Sequence, residues 1–481
     1  MRLTFSSAFY LLLISLLARP VEAQKIKSIP FSYLPERSDD RYNQRVTQKT
    51  LLLAEGGFLI LAHKSATEYA VERYSPDLQR TWSASIPVAG TESIDGFTHG
   101  AKQALVVIHS TSASYQQLAA QAIDLSTGQK APLKKLGEAS SRDRRPGVTF
   151  SPDGTKIVAW SYAIRDEQVR AIVASIYDEQ LAKLKDRTYD FHDLGAFFSP
   201  TVQIGNDGTQ YVTLISEEMK KLSVRRYRND NPDVKVMSVA VGGSFGGKTV
   251  TVFDTKFTIQ PDNTLYAAAI CTERQTGQYY SLKLVKFDFN GEGTMKFADE
   301  FRFTPEYLAD VNKAMLGTSK RLEDVYLSDL LVTQEKQLVV IAEKKYEEGG
   351  DESPVRTKEL HLFGYNEFDA PTWHSIIAKD QVAPPTESFT GIGYKAAVFG
   401  PIVQILTQEK IKGKSDLYVR TINAQTGVVQ PVKGLGLNVA NDQQLAYVKD
   451  FTAWLNAKTL IGVSRPSKKS AALMLNKIVV K

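Results

Sequence analysis

The sequence predicts an all-β fold made of repeated sheets arranged around an axis, and three observations lead to this prediction. First, a short polar turn opens into a run of apolar residues eight times along the chain. Second, the clearest turns contain Asp153, Asp207 and Asp262, which are about 55 residues apart, a period typical of radially repeated sheets. Third, each apolar run is followed by a second strand in which apolar and polar residues alternate.

Each repeat therefore contains a pair of predicted strands. The first strand is nearly all apolar, which indicates burial on both faces. The second strand alternates, which predicts a position further from the axis with one face in water. In chain order, the eight pairs lie at residues 56–62 and 69–74, 104–108 and 122–125, 157–160 and 171–177, 211–215 and 222–227, 265–271 and 282–287, 338–342 and 360–363, 402–406 and 417–422, and 459–463 and 472–475.

This gradient from buried to half-exposed strands predicts a β-propeller of four-stranded blades, because a blade buries both faces of its sheet against its neighbours. Eight blades are favoured, and seven blades with one irregular unit are the alternative. Residues 150–154 (Phe-Ser-Pro-Asp-Gly) resemble the turn found in WD-like and other bacterial β-propeller repeats. The resemblance implies an exported bacterial repeat protein with this fold, and it implies no chemistry.

The predicted organisation has three parts. Residues 1–23 read as a signal peptide, with basic Arg2, a short apolar core and a small-x-small ending at residues 21–23. Residues 24–50 form an N-terminal segment and are a candidate for the strand that closes the ring. Residues 51–481 form the propeller, which includes a short helical insertion that begins at Thr304 with a proline in its first turn.

Composition points to an exported protein of a bacterium. Cys271 is the only cysteine, so no intramolecular disulfide can form, and the chain contains no Asn-x-Ser/Thr sequon. These absences favour a periplasmic or secreted bacterial protein. No apolar stretch after the signal peptide is long enough to span a membrane. The net charge of +6 is a mild excess without basic and aromatic interleaving, so nucleic acid is not an expected partner.

One glycine-rich stretch matches two catalytic patterns. Residues 242–249 (Gly-Gly-Ser-Phe-Gly-Gly-Lys-Thr) fit the phosphate-loop pattern, and their first five residues fit the nucleophile elbow of serine hydrolases. Both sites need a helix directly after the glycines, whereas residues 249–253 form a β-branched run that predicts a strand. We therefore expect a flexible loop between blades here, with neither nucleotide binding nor hydrolase chemistry.

The remaining chemistry-bearing residues form no recognisable site. The six histidines show no metal-binding spacing; His63, His109 and His361 are expected to be structural, whereas His192 and His374 lie near turns and are candidates for a functional role. Residues 288–293 resemble only the end of a calcium loop and are better explained as a hairpin turn. The sequence thus nominates no catalytic or metal-ligating residue and no cofactor, and it does not identify the ligand-binding residues.

Three functions are compatible with this pattern. The first is a binding scaffold for a protein or glycan partner, because a rigid disk displays many loops. The alternative is a hydrolase or lyase whose site lies in the central channel. The third is a structural component of an envelope assembly, which predicts stable co-purification with other exported proteins. Titratable side chains that converge in the channel from three or more blades would favour the enzyme, whereas an apolar channel would exclude it. The partner, the face that binds it and the oligomeric state are not indicated by the sequence.

Overall fold

The computed structural model describes residues 25–36, 45–165, 168–195, 198–290, 293–350, 353–442, 444–467 and 472–480. The predicted signal peptide at residues 1–23 lies outside these ranges. Eight sheets form eight blades, which confirms the all-β propeller and the favoured blade number. No helix among the described residues is long and apolar enough to cross a membrane.

Strand β1 (Lys25–Phe31) precedes the first blade. Blades 1 to 4 each contain four antiparallel strands in chain order. Their strands are β2 (Thr50–Leu52), β3 (Phe58–Ser65), β4 (Glu68–Tyr74) and β5 (Arg80–Pro87) in blade 1; β6 (Glu92–His99), β7 (Gln103–Thr111), β8 (Tyr115–Asp124) and β9 (Lys134–Ser140) in blade 2; β10 (Gly147–Phe150), β11 (Lys156–Arg165), β12 (Gln168–Asp178) and β13 (Lys183–Asp190) in blade 3; and β14 (Ser199–Ile204), β15 (Gln210–Ser216), β16 (Lys221–Tyr227) and β17 (Val234–Ala240) in blade 4.

Blades 5 and 6 carry additional short strands, and blade 8 takes its outermost strand from the N-terminus. Their strands are β18 (Gly243–Phe245), β19 (Lys248–Ile259), β20 (Leu265–Glu273), β21 (Tyr279–Asp288), β22 (Thr294–Phe297) and β23 (Phe301–Arg302) in blade 5; β24 (Val325–Val332), β25 (Leu338–Glu347), β26 (Val355–Tyr365), β27 (Pro371–Ile377) and β28 (Gln381–Ala383) in blade 6; β29 (Tyr394–Phe399), β30 (Ile402–Ile411), β31 (Lys414–Asn423) and β32 (Lys433–Gly434) in blade 7; and β33 (Tyr447–Asn456), β34 (Thr459–Ser464), β35 (Leu473–Val479) and β1 in blade 8.

The innermost strands surround the axis. Strands β24, β29, β33 and β2 contact one another in series, as do β6, β10 and β14 on the other side of the ring. The apolar strands recognised in the sequence are the second strands of the blades, and the alternating ones are the third. Third strands such as β4, β16 and β26 are largely buried rather than half-exposed, because their side chains also pack between neighbouring blades. The innermost strands are shorter or more polar, and the sequence pattern did not reveal them.

Apolar clusters lie between consecutive blades all around the ring. Strand β3 contributes side chains to two of these clusters, one on each face of its sheet. Leu59 and Leu61 pack towards blade 2, whereas Phe58, Ile60 and Ala62 pack towards blade 8. Alternate residues of a strand point to opposite faces, so an uninterrupted apolar run is the pattern that two buried faces require.

The repeated aspartate turns join the first and second strands of blades 3, 4 and 5. In blade 3, the Asp153 carboxylate accepts hydrogen bonds from the Thr155 backbone N–H at 3.0 Å and the Ser151 hydroxyl at 2.6 Å, and Gly154 supplies the positive φ of 70°. Neighbouring turns also bind one another, because the Asp153 N–H donates to Asn206 Oδ1 at 3.1 Å. The polar turn that marks each repeat in the sequence therefore also links blades.

The helical insertion lies between blades 5 and 6. Helix α1 (Pro305–Met315) begins after Thr304, whose hydroxyl accepts a hydrogen bond from the Tyr307 N–H at 3.3 Å. Tyr307 and Val311 are buried against blade 6, and Tyr307 donates or accepts a 2.7 Å hydrogen bond with His361. The predicted helix is confirmed, with Thr304 as its N-cap.

Strand β1 closes the ring by pairing with β35 over seven residues, from Lys25 opposite Val479 to Phe31 opposite Leu473. Phe31 is 6% exposed and packs edge-on against Phe451 of β33, with 5.2 Å between ring centroids. The first and last described strands of the chain thus share one sheet.

We expect the variant Phe31→Ala to lower the free energy of unfolding by about 3 kcal/mol, because it removes a buried aromatic ring at the closure. Leu34→Ala is the matched control, because Leu34 is 43% exposed just beyond β1; its expected effect is within about 0.5 kcal/mol. Urea unfolding followed by tryptophan fluorescence measures both. Equal effects of the two variants would contradict the role of Phe31 in ring closure.

Candidate functional site

A cavity of about 890 Å³ occupies one end of the central channel. Most of its lining lies at or near the beginning of the innermost strands, and the segment that precedes β2 forms one wall. Five blades contribute titratable side chains. The charged lining residues are Arg45, Asp95, Asp254, Lys256, Asp329, Lys345, Lys395, Lys449 and Asp450, and the aromatic ones are Trp160, Tyr326, Phe389 and Tyr394.

The four aspartates occupy related positions in their blades. Asp95, Asp254, Asp329 and Asp450 lie at or beside irregularities in strands β6, β19, β24 and β33, where the pairing with the second strand shifts register. A bulge redirects a side chain that regular pleating would place against a neighbouring sheet. The bulges thus place these carboxylates along the channel.

Three of these carboxylates accept hydrogen bonds from the next blade. Asp254 accepts from the backbone N–H of Leu327 at 2.7 Å, and Asp329 accepts from the Tyr394 hydroxyl at 2.6 Å. Asp95 accepts from Arg145 Nε at 3.1 Å, two residues before β10. Burial raises the pKa of Asp254 and of Tyr394, so the phenol stays protonated and donates. These bonds join consecutive blades near the axis.

Asp450 differs from the other three. It is a lining residue of the cavity, it is only 1% exposed, and its Oδ1 atom has no hydrogen-bond partner among the described residues. The adjoining wall is the segment before β2, where Gln48 donates to the carbonyls of Thr50 at 2.7 Å and Thr452 at 3.0 Å. Asp450 therefore carries a buried acceptor that the neighbouring blade does not satisfy.

Two of the lysines that line the channel, Lys395 and Lys449, donate hydrogen bonds to uncharged oxygen atoms. Lys395 Nζ donates to the Thr47 carbonyl at 2.5 Å and to Gln48 Oε1 at 3.2 Å, and Lys449 Nζ donates to the carbonyls of Ile392, at 2.8 Å, and Phe389. Neither lysine forms an ion pair with a described carboxylate. Burial lowers the pKa of Lys395, although Asp450 opposes this shift. The positive charge of this wall is consequently not neutralised by direct pairing.

Aromatic rings lie at the same end of the channel. Trp160 and Tyr326 line the cavity and are partly exposed. The Tyr326 ring centroid lies 5.3 Å from that of Phe253, which is not part of the lining. Lys345 Nζ lies 5.4 Å from the Tyr326 ring and 6.0 Å from the Phe389 ring. Burial lowers the pKa of Lys345. The cavity thus combines ammonium groups, an unsatisfied carboxylate and partly exposed aromatic faces.

The segment that follows β28 covers part of this cavity. Lys449 binds two of its carbonyls, and the Gly393 N–H donates to Gln381 Oε1 at 2.9 Å. Gly391 approaches blade 8 so closely that a Cβ atom there would lie 2.9 Å from the Tyr447 carbonyl oxygen. Burial raises the pKa of Glu387 to about 7, against the opposing effect of Arg465. The segment is therefore fixed to the propeller through hydrogen bonds and close backbone packing.

The glycine-rich stretch at residues 242–249 lies outside this cavity and is not the expected flexible loop between blades. It forms a hairpin in which Ser244 pairs with Thr249, and the two turn residues Gly246 and Gly247 have φ of 55° and 79°. This geometry matches the positive φ angles of a tight two-residue hairpin. Strand β19 follows, and Lys248 pairs with Glu273. The structure therefore holds neither the helix of a phosphate loop nor that of a nucleophile elbow here.

The residues considered individually in the sequence do not meet in the channel. Cys271 is fully buried, and burial raises the pKa of its thiol to about 12. His192 lies at the end of the outer strand of blade 3 beside Asp190, and His374 lies on β27 with Nε2 3.8 Å from Asp310 of α1. Within the described ranges, no group of three or more His, Cys, Asp or Glu side chains is placed to hold a metal ion.

The channel aspartates left a signal in the sequence that the repeat analysis missed. The segments Ser-Ile-Asp95-Gly-Phe, Val-Phe-Asp254-Thr-Lys, Leu-Ser-Asp329-Leu-Leu and Val-Lys-Asp450-Phe-Thr each precede one of the recognised apolar runs. An aspartate that recurs at the same place in four units is a recognisable pattern. Which of the four lacks a partner depends on the neighbouring blade and does not follow from this pattern.

No family description and no curated protein matches the sequence. Among solved structures, a polysaccharide lyase described as an ulvan lyase is similar with a TM-score of 0.41 and 9% identity, covering 80% of this chain and 91% of its own. Porphyromonas gingivalis dipeptidyl peptidase 4 has a TM-score of 0.44 and 12% identity, covering 92% of this chain and 62% of its own. The β-propeller domain of the trilobed protease from Pyrococcus furiosus has a TM-score of 0.35 and 10% identity, covering 81% of this chain and 98% of its own. Similarities of this size assign neither a family nor an activity.

The raised pKa of Glu387 predicts a pH-dependent contribution to stability. The pKa of Glu387 is about 7 in the folded protein, whereas the unfolded chain releases this proton near the ordinary glutamate pKa of 4.5. The unfolded state therefore binds fewer protons between these values, and the contribution of Glu387 is lost as the pH rises through this window. We expect the melting temperature of Glu387→Gln, relative to that of the wild type, to increase from pH 4.5 to pH 7 and then level off. Glu367→Gln, at an exposed turn, is the control; the same trend in both variants would contradict the assignment to Glu387.

Proposed function

We propose that this protein is an exported binding scaffold that accepts an anionic group of its partner in the central channel. The observation that carries the proposal is that two channel lysines, Lys395 and Lys449, bind only neutral oxygens among the described residues. Export is supported by the apolar core and the small-x-small ending of residues 1–23.

The electrostatics of the cavity favour an anion. Asp254 and Asp329 are bound to groups of the next blade, and the charge of Asp95 is paired with that of Arg145. Lys395 and Lys449 form no ion pair with a carboxylate of the described residues, so their field extends into a cavity with protein walls, where it is screened less than at an open surface. Either an acidic glycan or an acidic protein side chain can supply the anion.

The proposal predicts that channel lysines determine affinity for anionic ligands. Lys395→Met should weaken binding of an oligogalacturonate by about tenfold or more, because a charge-assisted hydrogen bond contributes about 1.5–3 kcal/mol. The exposed residue Lys102, in the turn between β6 and β7, provides the control variant Lys102→Met, which should bind like the wild type. Isothermal titration calorimetry at two salt concentrations measures both, and salt should weaken wild-type binding.

The same titration is repeated with two further ligands, a neutral oligosaccharide and an oligoglutamate. Binding of the neutral sugar with the affinity of the acidic one would contradict an anion site, as would equal affinities of Lys395→Met and the wild type for oligogalacturonate. Binding of oligoglutamate alone would retain the anion site and identify a protein partner rather than a glycan.

The second candidate is a lyase or hydrolase that acts in the channel, and the lowered pKa of Lys345 and Lys395 favours it. A lysine with a lowered pKa has a larger neutral fraction, which can accept a proton. In an elimination, such a base removes the proton next to the carboxylate of an acidic sugar, the glycosidic C–O bond breaks, and the leaving oxygen takes up a proton. Residues with titratable side chains line the cavity from five blades, which is more than the three that would favour a channel enzyme.

The enzyme candidate predicts that incubation with an acidic polysaccharide produces ultraviolet-absorbing unsaturated ends in a lyase, or new reducing ends alone in a hydrolase. Lys345→Met should reduce the lyase rate by about a hundredfold or more if Lys345 is the base, whereas Lys102→Met should not change it. Binding of the polysaccharide without either product would reject the enzyme and leave the binding scaffold.

A further inference from the structure

Asp450 is the exception in an otherwise regular arrangement. In blades 5 and 6, the channel aspartate receives a donor from the beginning of the next innermost strand, Leu327 for Asp254 and Tyr394 for Asp329. In blade 2, the donor is Arg145, two residues before β10. The equivalent donor for Asp450 should come from the residues just before β2, because blade 1 follows blade 8 around the closed ring.

The residues at that position are bound elsewhere. Gln48, two residues before β2, donates its amide to the carbonyls of Thr50 and Thr452. Lys49 donates its ammonium to the Tyr33 hydroxyl at 3.2 Å and pairs with Glu36 at 2.8 Å. Thus the two residues best placed to bind Asp450 leave its Oδ1 atom unsatisfied.

We propose that the Asp450 carboxylate accepts a hydrogen bond from a hydroxyl group of the channel ligand, and that this ligand is an acidic sugar residue. This inference rests on the proposed anion site and specifies its ligand class. A buried acceptor without a partner costs about 1–3 kcal/mol, and more when it is charged. A ligand hydroxyl that reaches Oδ1 removes that cost, so the site gains affinity for molecules that carry such a donor.

The charges around Asp450 favour a neutral donor. Lys395 and Lys49 lie in its electrostatic surroundings, together with the phenols Tyr33 and Tyr447. An ammonium group of a ligand would approach Asp450 against these two cations, whereas a hydroxyl group meets no such repulsion. An anionic group on the same ligand has Lys395 as its counter-ion. A molecule with hydroxyl and carboxylate or sulfate groups on one ring satisfies both requirements.

Two further features agree with a sugar ring. The cavity volume of about 890 Å³ lies within the range of about 300–1,000 Å³ that is typical of small-ligand pockets. Trp160 and Tyr326 line the cavity and are partly exposed, so their rings offer aromatic faces on which the apolar C–H face of a sugar can pack. An acidic peptide side chain has no comparable flat face and no neutral hydroxyl beside its carboxylate.

The test compares oligogalacturonate with tricarballylate, a polycarboxylate without hydroxyl groups, by calorimetry on the full mature chain. The wild type should bind oligogalacturonate at least tenfold more tightly. Asp450→Ala should lose this preference while it binds tricarballylate at least as tightly as the wild type, because a negative charge has left the channel. Asp450→Asn should keep part of the preference, since it retains an acceptor oxygen of the same size.

Asp329→Asn is the matched control, because it also removes one channel charge but alters a carboxylate that already has the Tyr394 hydroxyl as its partner. It should leave the preference for oligogalacturonate unchanged. Melting temperatures of all variants establish that they are folded. If Asp450→Ala does not fold, the wild-type comparison of the two ligands and the Asp450→Asn variant still test the inference.

The outcomes separate the two proposals. If the wild type binds neither anion, the proposed anion site is wrong. If it binds both anions without preference, or if Asp450→Ala keeps the wild-type preference, the anion site stands and the role of Asp450 is wrong. Binding of oligoglutamate as tight as that of oligogalacturonate would also overturn the assignment of an acidic sugar.

Discussion

Closure of the ring is the constraint on which the channel depends. Strand β1 pairs with β35, so the N-terminal part of the chain completes the sheet that begins with β33. This pairing holds blade 8 beside blade 1 and brings residues from both ends of the sequence to one cavity wall. The bond from Gln48 to the Thr452 carbonyl and that from the Lys49 N–H to the Asp450 carbonyl, at 2.7 Å, cross the same junction. Without closure, the segment before β2 would not be held beside Asp450 and Lys395, and this side of the cavity would be open.

Two kinds of interaction hold neighbouring blades together, apolar packing further from the axis and hydrogen bonds near it. Further from the axis, the second strands pack their apolar side chains against both neighbours, which supplies non-directional stabilisation. Near the axis, directed hydrogen bonds join the blades through aspartates at bulges, such as Asp254 to the Leu327 N–H and Asp329 to the Tyr394 hydroxyl. A buried carboxylate tolerates this position because the next blade supplies a donor. The junction of blades 8 and 1 departs from this rule at Asp450, beside Lys395, which forms no ion pair with a carboxylate of the described residues.

The parts of the fold that were predictable share a strong local signal. An uninterrupted apolar run such as residues 265–271 can be read from the sequence because a strand buried on both faces excludes polar residues at consecutive positions. Helix α1 was predictable because Thr304 and the following proline define its start locally. Innermost strands such as β10 carry a weaker signal, because they are short and face water in the channel. The prediction of a flexible loop at residues 242–249 was wrong. Glycines allow many backbone conformations, which suggested flexibility, but Gly246 and Gly247 form the tight turn of a hairpin.

The sequence by itself determined the repeat, the all-β class and the position of the helix, because each of these depends on residues close together in the chain. It favoured eight blades over seven, and the structure decided for eight. Only the tertiary structure decided what the channel contains. Its lining comes from positions as distant as Arg45 and Asp450, and no periodicity relates the lysines of one blade to the aspartate of another. Whether a buried carboxylate is satisfied depends on the direction in which a neighbouring side chain points, as Gln48 shows by donating to two carbonyls. That direction is set by packing between blades, which the pattern of residues along one strand does not encode.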